Sequence, residues 1–483
     1  MRLLWSTSDS VETRVCGIMT MLAMFFVTPA LVTAQTKSSC PAPPPAYPLL
    51  AYDEDSSVVR DRNCRGDWWD AVKYLPLNSS GETYLSLGGQ IRERYEYFSN
   101  ANWGLGAQTP NGYLLQRYMI HADLHVGSGF RLFGELKSGL ENGRNGGPRP
   151  SIDEDKLDVN QAFLDVKLHE WEQGSVTLRA GRQEMTFGSS RLVSVREGPN
   201  VRQSFDGIRL ILAVNKWRID AFATKPVETN AGVLDDSPDH TRSFWGAYAT
   251  TAIPGWENEN IDLYYFGLDR KSATFNQGTE REQRHSVGSR LWRRPGPWDY
   301  NFEALVQWGT FGRGNIRAWT VASDTGYSKH SWPLHPRIGL KADIASGDKN
   351  QASPDLQTFN GLFPKGAYFS EADLIGPANF ADLHPSATLS LSKRLSLTVD
   401  GDFFWRESTH DGIYGVAVNL VRTGRLSNAR YVGSHSSAEF EYRLDRHTTI
   451  IWNYLHFFPG RFLRETPPGR DVNYATAWIV YRF

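Results

Sequence analysis

Arginine and lysine side chains occupy one face of many extended segments in this chain, opposite a face of apolar residues. The basic residues of that polar face include Arg92, Arg94, Arg131, Arg179, Arg209, Arg218, Lys341, Arg406 and Arg482. Aspartate and glutamate residues share the face with them. A guanidinium group binds carboxylates through two parallel hydrogen bonds, and rings of basic side chains select anions in pores. The pattern therefore indicates either a conduit for anionic solutes or a wall that ion pairs cross-link.

The segments that carry these side chains are predicted strands, because polar and apolar residues alternate with a period of two. The alternation recurs from residue 82 and defines about 18 segments, of which 316–323 is the weakest. Short turns such as 127–129 alternate with long loops such as 347–384. An even strand number with loops sorted in this way is typical of bacterial outer-membrane barrels. We therefore predict an all-β fold, a transmembrane antiparallel β-barrel of porin type in residues 81–483.

The last predicted strand alternates up to its final residue. Phe483, Tyr481 and Ile479 lie on one face of residues 474–483, and Arg482 lies on the other. A strand with an aromatic, apolar face and a polar face fits the closing strand of such a barrel, where one side meets lipid and the other a wet lumen.

The first 80 residues differ in composition from the rest. Residues 1–34 contain a basic start, an apolar run and small residues, which predicts a signal peptide cleaved after Ala34. Residues 35–80 begin with a proline-rich stretch and form a predicted periplasmic extension, either packed into the lower mouth of the barrel or disordered. Cys40 and Cys64 lie in this extension, and the oxidising periplasm makes a disulfide between them a reasonable expectation.

Several classes of function receive little support from the sequence. A net charge of −1 gives no indication of a nucleic-acid partner, and no nucleotide-binding loop or nucleophile turn stands out. His121, Asp123 and His125 alternate along one strand, a spacing that fits a metal, although ion pairing within the wall is the favoured interpretation. We expect no cofactor, no metal and no catalysis, with an outer-membrane enzyme or an adhesin barrel as minor alternatives.

Three motifs resemble the alginate export family of outer-membrane proteins. They are LGGQIRERYEYF at 87–98, GRQEMTFG at 181–188, and the loop segments LFPKGAYF and LIGPANF within 362–380. The resemblance covers residues 82–483 and implies a monomeric barrel of eighteen strands whose electropositive pore passes a polyuronate. It also carries over Arg182 as a pore candidate, with Arg191 nearby. The alternation places Arg182 on the face of Ala180 unless the chain bulges at Gly181.

The function expected from these observations is passive diffusion of an anionic polysaccharide, or a related anionic solute, across the bacterial outer membrane. A substrate-specific uptake porin for organic or aromatic acids is the alternative. The long loop 347–384 is either an external cap or a constriction that folds into the pore. The expected partners are outer-membrane lipid, lipopolysaccharide, the barrel assembly machinery and an anionic saccharide or carboxylate solute, with no nucleic acid.

Overall fold

A computed structural model describes residues 47–149, 151–256, 258–293 and 296–483 of the chain. The predicted signal peptide of residues 1–34 and Cys40 lie outside the described residues. Cleavage after Ala34 and the disulfide between Cys40 and Cys64 therefore stay predictions.

Eighteen antiparallel strands of the described chain form one closed sheet, in which sequence neighbours pair and the last strand pairs with the first. The strands are β1 (Tyr84–Ser99), β2 (Tyr113–Val126), β3 (Phe130–Asn142), β4 (Asp155–Trp171), β5 (Gly174–Gln183), β6 (Phe205–Val214), β7 (Trp217–Glu228), β8 (Arg242–Ala252), β9 (Glu259–Phe275), β10 (Gly278–Arg293), β11 (Trp298–Phe311), β12 (Gly314–Ser328), β13 (Arg337–Ala345), β14 (Phe380–Ser390), β15 (Leu395–Trp405), β16 (Tyr431–Arg443), β17 (Thr448–Pro459) and β18 (Val472–Arg482). The predicted barrel is confirmed, and the weak segment 316–323 belongs to β12.

Short strands and short helices lie outside the eighteen barrel strands. Two-residue and three-residue strands lie at Leu75–Pro76, Ser237–Pro238, Ile413–Tyr414 and Leu420–Arg422. Short α-helices lie at Asp70–Lys73, Ala101–Gly104 and Arg461–Glu465, and 3-10 helices at Ala51–Asp53, Ser57–Arg60, Arg62–Cys64, Gly366–Tyr368 and Gly424–Leu426. In the part of the chain that the structure describes, no helix has the length and apolarity to cross a membrane.

The two faces of the sheet differ as the alternation predicts. Ile91, Leu132 and Ile208 are exposed on the outer face, whereas Arg92 and Arg94 are buried on the inner face. Outward apolar side chains can contact lipid, and the closed sheet pairs the backbone of each strand with both of its neighbours.

The last strand closes the barrel against the first. Gln90 pairs with Arg482 and Ser99 with Asn473 across this seam. Phe483 extends the pairing, because its N–H donates to the Gly89 carbonyl at 3.0 Å and its own carbonyl accepts from the Gly89 N–H at 2.8 Å. The terminal residue is therefore part of the seam.

The segment 47–74 enters the lumen from the rim of short turns. Trp69 stacks on Phe483 at 4.1 Å between ring centroids. Tyr52 lies deeper, where its ring packs edge-on against Phe163 at 5.5 Å and its hydroxyl donates to the Glu184 carbonyl at 2.9 Å. Since Phe163 faces the lumen, this segment fills part of the barrel at that end.

Two long loops also fold into the lumen, from the opposite rim. The loop 184–204 and the loop 346–379 meet where Val193 and Phe363 form a parallel bridge. Asn360 accepts a hydrogen bond through its carbonyl from Gln307 of β11 at 2.8 Å, which places the second loop against the inner wall. Of the two arrangements predicted for this loop, the structure therefore has the inward one.

Candidate anion pathway in the barrel lumen

Four of the predicted pore arginines are paired with aspartates along the inner wall. Their partners are Asp123 for Arg131 at 2.7 Å, Asp165 for Arg179 at 2.7 Å, and Asp220 for both Arg209 at 2.9 Å and Arg218 at 3.1 Å. Each pair joins neighbouring positions of the sheet. The first two pairs are balanced, whereas the two arginines that share Asp220 leave one formal positive charge. These residues act first as cross-links of the wall, as the second interpretation of the polar face predicts.

Arg92 of β1 is held in a different way. Its guanidinium donates to the backbone carbonyls of Glu197 at 2.7 Å and Pro199 at 2.9 Å, both in the loop 184–204. No carboxylate of the described residues lies within 4.0 Å of it. Carbonyl dipoles orient the group without cancelling its charge, so the buried guanidinium of Arg92 keeps a net positive charge just beneath the lumen surface.

Arg94 and Arg482 lie beside Arg92 on the same inner face. Arg94 forms ion pairs with Glu96 at 2.7 Å and with Glu371 of the second loop at 3.2 Å. The nearest carboxylate to Arg482 is that of Glu197, at 3.8 Å. Arg94 is therefore largely compensated, whereas Arg482 is only weakly compensated.

Glu197 is the acidic centre of this region. Burial alone would raise its pKa, but Arg117, Arg202 and Arg92 more than offset that effect and hold the pKa of Glu197 well below its usual range. Arg117 and Arg202 contact its carboxylate directly. Glu197 is thus ionised at neutral pH and fixes the loop 184–204 to the basic wall.

Lys365, which the sequence analysis did not single out, adds a cation from the loop 346–379. Its ammonium has no carboxylate of the described residues within 4.0 Å and lies 5.8 Å from the centroid of the Tyr368 ring. Burial, with Lys341 and Arg191 close by, lowers the pKa of Lys365 to about 8. A lysine without a partner inside the barrel is a natural contact for an anion.

These groups surround one cavity of about 540 Å³ in the lumen. Its charged lining comprises the cations Arg92, Arg94, Lys365, Arg443, Arg446 and Arg482 and the anions Glu197, Glu371, Glu441 and Asp445. Six positive and four negative groups leave a formal excess of two positive charges, with His447 counted as neutral. Trp478 and Val480 add apolar surface to the same lining.

The remaining predicted residues divide into two groups. Lys341 faces inward on β13 between the exposed Leu340 and the next outward position, and no described carboxylate is within salt-bridge distance. Arg191 lies inside the barrel but is fully engaged, with Glu303 at 2.9 Å and Asp343 at 3.3 Å. Arg191 therefore has two carboxylate partners, whereas the ammonium of Lys341 has none among the described residues.

Two predictions of pore-lining residues are corrected. Arg182 follows the outward Ala180, and its guanidinium pairs with Asp206 of β6 at 2.9 Å and donates to the Val159 carbonyl at 3.0 Å, so it ties strands together at the rim of long loops. Arg406 directly follows β15 and keeps the inward parity of Asp402 and Phe404. It is buried against the Phe462 ring at 4.0 Å and donates only to loop carbonyls.

The histidines of β2 also join the wall. His125 lies 3.1 Å from Asp123, and His121 lies 3.8 Å from Glu135 and 4.0 Å from Glu54. His121, Asp123 and His125 do not converge on a common point.

Comparisons with known proteins agree with this architecture. A family model described as alginate export matches residues 83–477. No curated protein sequence matches the chain. Three crystal structures of Pseudomonas aeruginosa proteins are similar in fold. OpdK with vanillate is 12% identical with a TM-score of 0.55 and covers 83% of this chain and 98% of its own. OccD3 (OpdP) is 12% identical with a TM-score of 0.56, and the alignment covers 83% of this chain and 91% of the OccD3 chain. OccK2 (OpdF) in complex with glucuronate is 13% identical with a TM-score of 0.53, covering 85% and 97%.

The match to the family model extends over most of the barrel, from the residue before β1 to within β18. The chain belongs to the alginate export family and is a channel-type β-barrel of the bacterial outer membrane, which it crosses with its strands.

Proposed function

We propose that this channel conducts uronates and related carboxylate anions by passive diffusion. The observation that carries the proposal is the cluster of Arg92, Arg482 and Lys365 around a single lumen cavity, none of them closely paired with a carboxylate. Basic groups held on a wall and on an inward loop offer successive weak contacts to a passing anion.

The size of the cavity favours a small solute or a short oligomer. Its volume of about 540 Å³ is in the range of about 300–1,000 Å³ that is usual for small-molecule sites. The loops 184–204 and 346–379 narrow the lumen from one side, and the segment 47–74 occupies it from the other. Passage of a long polyuronate would require these segments to move, whereas a single uronate would need less rearrangement.

The relatives supply compatible chemistry. The family is named for alginate export, OccK2 is described in complex with glucuronate, and OpdK with vanillate. Each of these solutes carries a carboxylate, for which arginine is the best-suited side chain. We extend to this chain only that shared feature.

We also propose that the protein is a monomer, folds through the barrel assembly machinery and contacts lipopolysaccharide.

Uptake of aromatic acids is the second candidate function. Trp478 lines the cavity with its indole 4.5 Å from the guanidinium carbon of Arg94. A ring beside a cation could receive both the aromatic body and the carboxylate of such a solute.

Proteoliposome flux separates these functions from a general pore. Vesicles containing the protein should admit glucuronate faster than glucose, which is similar in size but uncharged. The double variant Lys365→Met and Arg482→Gln should lose most of that difference while admitting glucose at the original rate. Equal rates for the two sugars in the wild-type protein would refute the proposal. Faster entry of benzoate than of glucuronate would favour the second candidate.

A further inference from the structure

Three polar side chains lie side by side on adjacent strands of the inner wall. They are His384 of β14, Asp402 of β15 and His435 of β16. The register places Asp402 directly opposite His435, and His384 occupies the corresponding position on the other side. One ligand atom from each residue lies within 4.8 Å of the others, and all three residues are less than one-tenth exposed.

The carboxylate at the centre of this row has no hydrogen-bond donor. Both oxygens of Asp402 are buried without a partner, and so is Nδ1 of His384. That nitrogen is 3.1 Å from one Asp402 oxygen, yet the two atoms are not aligned for a hydrogen bond. A buried carboxylate without a donor is costly, and the cost is removed if the unsatisfied atoms share a bound cation.

A fourth residue orients the two rings. Nε2 of His384 and Nε2 of His435 each lie 3.2 Å from the same oxygen of Asp400, whose other oxygen accepts from the Ser437 hydroxyl at 2.5 Å. Metal-binding histidines usually make such a contact to a carboxylate through the ring nitrogen that faces away from the ion. The contact leaves Nδ1 of His384 directed toward Asp402.

We propose that His384, Asp402 and His435 form a binding site for a borderline divalent transition-metal ion such as Zn²⁺. Two imidazoles and one carboxylate form a ligand set that favours these ions over Ca²⁺ and Mg²⁺, which prefer oxygen ligands. Zinc bonds of about 2.0–2.1 Å in a tetrahedron separate the ligand atoms by roughly 3.3 Å, so ligand atoms that lie within 4.8 Å of one another must close by up to about 1.5 Å when the ion binds. The bound ion would join β14, β15 and β16 on the lumen side.

A second cluster of possible metal ligands in the barrel, made of three aspartates, is a weaker candidate for a metal site. Asp155, Asp158 and Asp236 also lie close together, but Lys137 is 3.0 Å from Asp155 and 2.9 Å from Asp236. The lysine already supplies the positive charge that a cation would bring.

Metal titration of the full chain, refolded in detergent without a histidine tag and freed of metal with a chelator, tests the proposal. We expect one equivalent of Zn²⁺ by calorimetry and a Co²⁺ absorption spectrum typical of nitrogen and oxygen ligands, with at least a hundred-fold weaker binding of Ca²⁺. Asp402→Asn keeps the side-chain volume and should weaken Zn²⁺ binding at least ten-fold, as should His435→Gln. His285→Gln, which changes an outward histidine of β10, should leave binding unchanged.

Heat-modifiable electrophoretic mobility verifies that each variant is folded. The proposal is overturned if the folded wild-type protein binds no Zn²⁺, if Ca²⁺ binds as tightly, or if Asp402→Asn and His435→Gln retain wild-type affinity. If Asp158→Asn loses Zn²⁺ binding while Asp402→Asn and His435→Gln keep it, the ion belongs to the group of Asp155, Asp158 and Asp236, and the proposed site is refuted.

Discussion

Lys365 provides the sharpest test of how the lumen attracts anions. Its ammonium lines the cavity without a carboxylate partner, so replacing it with methionine removes one charge while preserving an unbranched side chain of similar length. A hydrogen bond to a charged group contributes about 1.5–3 kcal/mol. The lower end applies in a hydrated lumen, and about 1.4 kcal/mol corresponds to a ten-fold change in affinity. Lys365→Met should therefore raise, about ten-fold, the glucuronate concentration that blocks half of the single-channel current.

The pH dependence supplies an independent signature of the same group. Burial lowers the pKa of Lys365 to about 8, so its ammonium is charged below that pH and is lost as the pH rises through it. Glucuronate affinity of the wild-type channel should fall between pH 7 and pH 9. Lys365→Arg should remove this dependence because arginine stays protonated throughout the interval.

Single-channel current block in planar bilayers measures both effects. The matched control is Lys349→Met, in the same long loop, because that lysine is exposed and pairs loosely with Glu407 at 3.6 Å. The reasoning is refuted if glucuronate blocks the Lys365→Met channel at the same concentration as the wild-type channel. It is also refuted if the affinity of Lys365→Arg for glucuronate keeps the wild-type pH dependence.

Three further predictions concern the barrel. Removing residues 47–74 should increase single-channel conductance, because this segment fills the mouth at the rim of short turns; unchanged conductance would mean that the ion path bypasses it. Deleting Phe483 should reduce the yield of heat-modifiable barrel more than the conductance of the channels that do form, since its backbone extends the closing seam. Arg179→Ala should destabilise the barrel by about 3–5 kcal/mol in denaturant unfolding, because it leaves Asp165 buried without its partner. Arg281→Ala removes an exposed arginine and should change stability little; equal effects of the two substitutions would contradict the assigned role of the wall pairs.

The alternation of the sequence predicts the strands and the inward face because both depend on local geometry. Each strand has one side toward lipid and one toward the lumen, so Arg92 and Ile91 are assigned correctly from their order alone. The alternation also gives the inward face of Arg406, but the Phe462 ring and loop carbonyls bury that side chain, so it does not line an open pore. At Arg182, the alternation itself indicates the outward face, and the family resemblance points the wrong way.

The contents of the lumen depend on contacts between segments that are distant in the chain. Lys365 reaches the cavity because its loop docks on the loop 184–204, and no local pattern encodes that contact. The row formed by His384, Asp402 and His435 depends on the register of three strands, which a period of two leaves undefined. Sequence periodicity therefore predicts the wall, whereas the site needs the three-dimensional structure.

The reversal potential in a gradient of potassium glucuronate tests the central claim most directly. A channel with basic groups around its lumen cavity should pass glucuronate more readily than potassium. The zero-current potential should therefore have the sign that is set by the more permeant anion. Replacing Arg92, Lys365 and Arg482 with neutral residues should move that potential toward zero. A potential of the sign set by potassium in the wild-type protein would contradict the account.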